Sequence, residues 1–332
     1  MLRLPVEVNG KYGYVDEHGE IAIPLQYDLA SEFSEGLARV MREKTAIEII
    51  DMGGNVQGTL ENAWSYSDFS EGLLAYFERE DRERGESGYL DAQARVVIPP
   101  RFSAAFPFVD GRAVVEVGRK HGIIDRQGDW VVEPQFYCVL TFEKGEATTP
   151  FAKGEQWGFI NRDGEVVLEP RYRDAMPTYQ GLTGVWVGTE ADESCGVVDV
   201  SGQWVIPPKF RHCGGFHDDT IPVAVDDKWG VVDLQGNWII PPKYTSANAF
   251  HDGLSRVYVG GGRNEDYCLE DGKFGFVDRN DKLVIRAKFD DAEDFKDGVA
   301  RVKKFPRRDP YGQKTKTGWI DTTGKFIWKP SR

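Results

Sequence analysis

Apolar positions along this chain come in short pairs separated by polar turn residues. Tyr14-Val15, Ile123-Ile124, Val231-Val232 and Trp319-Ile320 each follow a glycine, and each pair predicts a short strand. Asp-x-x-Gly comes next, as in Asp233 to Gly236. An Asp at the first turn position can bond the backbone ahead of it. The Gly accepts the positive φ that closes a four-residue hairpin loop. A second apolar run then predicts the return strand: Val131-Val132, Val205-Ile206, Ile239-Ile240, Ile327-Trp328. Proline follows at Pro24, Pro99, Pro134, Pro170, Pro207, Pro241 and Pro330, and predicts the end of that strand because it removes a ladder donor.

After the proline lies a linker with two aromatic residues, such as Tyr27 and Phe33, Phe102 and Phe108, or Tyr244 and Phe250. The polar residues between them predict a loop or a single helical turn pinned to the core. Glycine closes the linker at Gly36, Gly72, Gly111, Gly145, Gly253 and Gly298. A third short strand follows, as in Leu37–Val40 or Leu254–Tyr258.

Set in register, the copies carry Gly13, Gly88, Gly122, Gly158, Gly196, Gly230, Gly275 and Gly318. The matching turn residues are Asp16, Asp91, Asp125, Asn161, Asp199, Asp233, Asp278 and Asp321. A degraded copy surrounds Asp51, with Glu48 in place of the glycine. The period is roughly 34 to 45 residues, the range of solenoids and propellers. The expected fold is all-β: a single domain over 1–332 built from about nine three-stranded antiparallel β-meander repeats. Their boundaries fall at 3–36, 37–72, 73–111, 112–145, 146–181, 182–219, 220–253, 254–298 and 299–332. Propellers usually have four to eight four-stranded blades. An open or superhelical stack is therefore expected in preference to a closed propeller-like ring.

The stretch from Lys228 to Tyr244, KWGVVDLQGNWIIPPKY, with FHDGLSRV after it, resembles the WG (KWG) repeat of bacterial proteins, over nearly the whole chain. Ser87, His121, Cys195 and Thr317 depart from the Trp slot, Ala94 and Asp281 from the turn Gly, and Arg286 from the Pro slot. The resemblance implies architecture far more than activity. A catalytic residue would not recur in eight equivalent places, so the repeated Trp, Gly, Asp and Pro residues are read as structural.

Composition narrows the partners. The net charge is -13. Such a surface disfavours nucleic-acid backbones and anionic membranes and would steer a basic protein toward it. No apolar run approaches the ~18 residues of a membrane span. The four cysteines (Cys138, Cys195, Cys213, Cys268) show neither a CxxC pair nor zinc spacing, which predicts a reduced compartment. A cytoplasmic location is expected, or a periplasmic one had a leader been removed.

Function is expected where the copies differ. Three insertions break the period: the charge run Glu78–Ser87, the acidic glycine-rich Val259–Gly272 and the basic Lys303–Lys316. Acidic linker residues, Glu32, Glu35, Asp218, Asp219, Asp290, Asp291, Glu293 and Asp294, together with Arg307, Arg308 and Tyr311 in the basic insertion, are the candidate partner-binding set. His212, Cys213 and His217 cluster in RHCGGFHDD, but one loop with two His and a Cys falls short of a converging ligand set. Cys195 and His121, each in a Trp slot, read as core-packing residues. No nucleophile elbow or triad is present, and no metal or cofactor is expected. The expected function is a non-catalytic protein–protein interaction scaffold, with an inhibitor or immunity-type protein masking a basic partner as its sharper form. The alternative is a carbohydrate or cell-wall binding module, which needs exposed aromatics.

Overall fold

Each short apolar run forms a strand, and every regular element among the described residues is a strand. The structure is a computed structural model and describes residues 1–43, 46–80, 83–189, 191–263, 268–305 and 316–329. Among the described residues nine antiparallel sheets follow one another along the chain. The first, 4–27, has three strands. The other eight (29–61, 63–102, 104–136, 138–172, 174–210, 212–244, 246–289 and 291–328) have four, arranged in chain order from one edge to the other.

The added strand comes from residues expected to be a loop or helical turn. Leu29–Ala30, only two residues, pairs with Met41 and Val40 of the next strand. In the eighth sheet Ser246–His251 forms a longer version. The repeat is thus a four-stranded blade. The fold is a nine-bladed β-propeller, and the expected open or superhelical stack of three-stranded meanders is incorrect. A two-residue strand carries no apolar run of its own; backbone pairing alone defines it.

The chain divides into two compact units, Met1–Gly181 and Leu182–Arg332. The first contains blades 1 to 5, and the second contains blades 7 to 9 and most of blade 6. In both, the core lies between the faces of successive blades. In the first unit Ile98 and Phe102 of blade 3 pack with Val115 and Ile124 of blade 4. In the second, Phe276 and Phe289 of blade 8 pack with Val302 and Ile320 of blade 9. One blade cannot bury its own face, which is the physical reason for the repetition. Each such side chain contributes ~1.5–3 kcal/mol by area burial.

The glycine of the Trp-Gly pair has a specific cause. The last two strands of a blade pair with a bulge: in blade 1 Tyr12 faces Tyr27 and Tyr14 faces Ile23, so three residues oppose five. The bulge brings fourth-strand carbonyls against the glycine. A Cβ would lie 2.6 Å from the Ile23 carbonyl oxygen at Gly13 and 2.4 Å from that of Ile240 at Gly230. The exception fits this cause. In blade 2, where Glu48 replaces glycine, Glu48 pairs with Thr59 and Ile49 with Gly58 without a bulge between them.

The same bulge corrects the proline reading. Pro24 does not end its strand, which runs over Ile21–Tyr27. It sits inside the bulge on an edge strand, where no ladder donor is needed. At the position of Gln26 other blades carry a basic residue that lies over the next ring: Arg101 over Phe102, Lys209 over Phe210, Lys243 over Tyr244, Lys288 over Phe289. Cationic side chains on an edge strand also discourage pairing with another chain.

Candidate binding site

The repeated polar residues are occupied in turns. In every blade the turn Asp or Asn accepts the amides two and four residues ahead, as Asp233 does from Gln235 (2.9 Å) and Asn237 (2.8 Å). Asn161 does the same with Asp163 and Glu165. These bonds to the charged form hold Asp16, Asp51 and Asp199 below the usual carboxylate range. The main causes are, in turn, the Glu20 amide, the Asn55 side chain and the Ser201 hydroxyl.

The turn between the first and second strands makes a further tie. It is a two-residue turn with both residues at positive φ, as at Glu35 and Gly36. The acidic residue there reaches the matching turn of the next blade. Glu35 accepts the amides of Glu71 (2.8 Å) and Gly72 (2.7 Å), and Glu71 accepts that of Gly111 (3.0 Å). Asp110 accepts the Gly145 amide and Asp252 that of Gly298. Ser34 and Ser70 add hydroxyl bonds to the carbonyls of Phe69 and Phe108.

In the second unit this pattern changes. The position of Ser34 is taken by His217 in blade 7 and His251 in blade 8. Their rings stack with centroids 3.6 Å apart at 19°. Nδ1 of His217 lies 2.9 Å from the Phe250 carbonyl oxygen, where Ser34 and Ser70 place their hydroxyls. Nε2 of His251 is 4.0 Å from Asp294. Asp294 accepts from Arg256 Nε (2.9 Å) and Asn248 Nδ2 (2.9 Å). Burial pushes the His251 imidazole below the ordinary histidine range, and His217 adds to this, while Asp294, Asp218 and Asp252 oppose it. Beside this network lies a cavity of about 320 Å³, whose lining includes Gly215, Pro222, Trp229, Asn248, His251 and Asp294.

Of the residues expected to bind a partner, most have partners within the chain. Glu35 ties adjacent turns, as described, and Glu32 is half-buried. Asp290 pairs with Lys273 (2.7 Å) and accepts the Phe305 amide. Asp291 pairs with Lys303 (2.8 Å), Glu293 with Arg301, and Asp294 with Arg256. Asp218 and Asp219 form a turn in which both residues have positive φ; the Asp218 carbonyl accepts from Arg279 (2.7 Å), and its carboxylate lies 3.2 Å from His217. Arg307, Arg308 and Tyr311 lie outside the described residues.

Cys213 and Cys195 form a disulfide that joins the third strand of blade 6 to the first strand of blade 7. The pair corrects the reading of Cys195 as a packing residue alone and removes Cys213 as a ligand. Sequence spacing does not announce it, because the two occupy different slots of consecutive repeats. His121 stands beside Phe106 at 6.2 Å. Sequence reading missed His251, Asn248 and Gly215. A column-by-column comparison of the linkers would have found them, since histidine occurs there twice in succession, beside Gly215 and Ala249, where other copies carry Glu32, Pro107 or Asp294.

The family described as WG containing repeat matches residues 12–44, 88–120, 122–147, 157–185, 196–229, 229–262 and 274–304, more than half of the chain. No match covers 45–87, the stretch that holds Glu48 in place of the glycine. No curated protein matches the sequence. Among solved structures, the chain is similar to one titled the crystal structure of the eukaryotic initiation factor. The identity is 14% and the TM-score 0.62, over 97% of this chain and 93% of that one. It is also similar to BamB from Moraxella catarrhalis at 10% identity and a TM-score of 0.50, over 83% of this chain and 93% of that one. At such identities the likeness shows the fold alone.

Proposed function

The chain belongs to the WG-repeat family, and from that premise we propose that it is a non-catalytic protein-interaction scaffold that takes a basic partner on its variable hairpins. One observation carries the reading. All three insertions fall at the same connection, between the second and third strands of a blade. In three-stranded blade 1 the equivalent connection, between its first two strands, is the two residues Asn9 and Gly10, and in blade 7 it is Asp226 and Asp227. In blade 3 it joins Leu74–Glu80 to Glu83–Leu90, in blade 8 Leu254–Arg263 to Leu269–Val277, and in blade 9 Val299–Lys304 to Lys316–Asp321. The connections at the other end of the strands carry the turns tied by carboxylates. Loops of free length on a repeated frame are common binding elements.

The net charge of -13 supports a basic protein as partner, steered by the field and released by salt. An inhibitor of immunity type, masking a basic enzyme, is the narrower form of the proposal. The test compares the intact chain with one whose 305–315 connection is replaced by Asn-Gly, each used for affinity capture at low and high salt. A stoichiometric basic protein held only by the intact chain and lost at high salt is the expected result. Equal capture by both chains, or none by either, sinks the reading.

A further inference from the structure

The cavity beside His251 is not a gap that the fold requires. Gly215 borders it, and its backbone lies outside the left-handed region that would demand glycine. A Cβ at Gly215 would meet nothing within 4 Å. Its neighbour Gly214 differs, because a Cβ there would lie 2.6 Å from the Pro222 ring. Neither turn geometry nor packing therefore explains Gly215; what it does is leave the space open. Ala249 holds the same register position in the next blade, where the following one has Asp294. The two smallest residues in that column thus stand side by side at one opening.

The lining pairs an apolar wall with hydrogen-bonding groups. Trp229 and Pro222 supply the wall, and the indole lies nearly parallel to the His212 ring (11°, centroids 6.2 Å apart). Asn248, His251 and Asp294 supply polar atoms. The Asp294 charge is already balanced by Arg256 at 2.9 Å, so the site offers little net field to an ion. Its volume of about 320 Å³ is at the small end of ligand sites and suits one ring. A neutral molecule with an apolar face and a hydroxylated edge matches each of these features.

We propose that this cavity binds a neutral sugar ring. One face of a pyranose packs on Trp229 while its hydroxyls bond to Asn248, His251 and Asp294. The inference stands apart from the hairpin reading, since it uses different residues and a different class of ligand. The test is saturation-transfer NMR and tryptophan fluorescence on the full chain. Methyl glucoside, methyl galactoside, methyl mannoside and N-acetylglucosamine are the probes, with tetramethylammonium as the cationic competitor. At least one glycoside should bind with a Kd on the order of 1 mM. Gly215→Leu should fill the opening and abolish binding, and Asn248→Ala, which adds no bulk, should weaken it about tenfold. Circular dichroism melts establish that each variant is folded. Silence from all four sugars, a response to tetramethylammonium alone, or binding that both variants retain would overturn the proposal.

Discussion

Gly230 is required by the carbonyl oxygen of Ile240 across the bulge, not by its own backbone angle. Gly230→Ala should therefore cost about 1–3 kcal/mol, the usual range for overpacking a closed site. Gly215→Ala, which enters open space, should stay within about 0.5 kcal/mol. Urea unfolding of the two variants side by side checks this contrast. His251 gives a second prediction at this scale. Its folded-state affinity for a proton is lowered chiefly by burial, so the unfolded chain binds the proton first as pH falls. Stability from this group is complete above the unfolded value of about 6.5 and declines as pH drops below it toward the lowered folded value. His251→Gln should flatten the fall in Tm between about pH 7 and pH 5 relative to the parent. A parallel decline in both proteins would assign that slope to other groups. Sequence comparison finds Gly230 because it recurs, but not its cause, because the clash lies with a strand ten residues away. His251 was missed for the opposite reason: histidine takes that column in only two of the eight linkers, at His217 and His251, so recurrence along the whole chain does not single it out.

Turns and strands were read unequally, and the physics explains which. The Asp-x-x-Gly hairpins are local, with the carboxylate bonds of Asp233 reaching no further than Asn237, so sequence alone predicts them. The short first strand depends on pairing with a different segment and has no apolar signature; Leu29–Ala30 was therefore expected to be part of a linker. The acidic turn residues were expected on a binding surface because a carboxylate in a polar loop looks solvated. Glu35 instead holds two amides of a turn 36 residues further on. Glu35→Ala should therefore speed hydrogen exchange at the Glu71 and Gly72 amides, and should lower stability by about 1 kcal/mol. Unchanged exchange at those two amides would make the tie incidental. The Cys195–Cys213 bond is another link between neighbouring blades. Reduction should lower unfolding free energy by about 2–4 kcal/mol, measured by urea titration with and without a phosphine reductant. Cys195→Ala/Cys213→Ala should be indifferent to the reductant, since it removes the disulfide that the described residues contain.

Across the whole molecule, one turn device appears in all nine blades, with aspartate in eight and Asn161 in blade 5, and at five of the aspartates it couples stability to acid. The turn carboxylates accept backbone amides in their charged form, and the pKa values of Asp16, Asp51, Asp199, Asp233 and Asp321 are all lowered. For Asp233 and Asp321 the largest single influence is burial, which acts upward; the hydrogen bonds from Asn237 and Thr323 and from the turn amides together outweigh it. A carboxyl with a lowered folded-state pKa contributes stability above its unfolded value of about 3.9, and that contribution is lost as pH falls through the folded value. Both units carry such turns, so acid should loosen both. Blade 5 already contains the control, because Asn161 makes the same two amide bonds without a titrating charge. Replacing these five aspartates by asparagine should keep the turn geometry and remove five negative charges from a net of -13. The acid-unfolding midpoint, followed by circular dichroism from pH 6 downward, should then move to lower pH, on the order of 0.5 unit. The expected cost near neutrality is a smaller stability, because an amide oxygen is a weaker acceptor than a carboxylate. An unmoved acid midpoint would place the molecule's acid sensitivity in its ion pairs, such as Asp290 with Lys273, and not in its repeated turns.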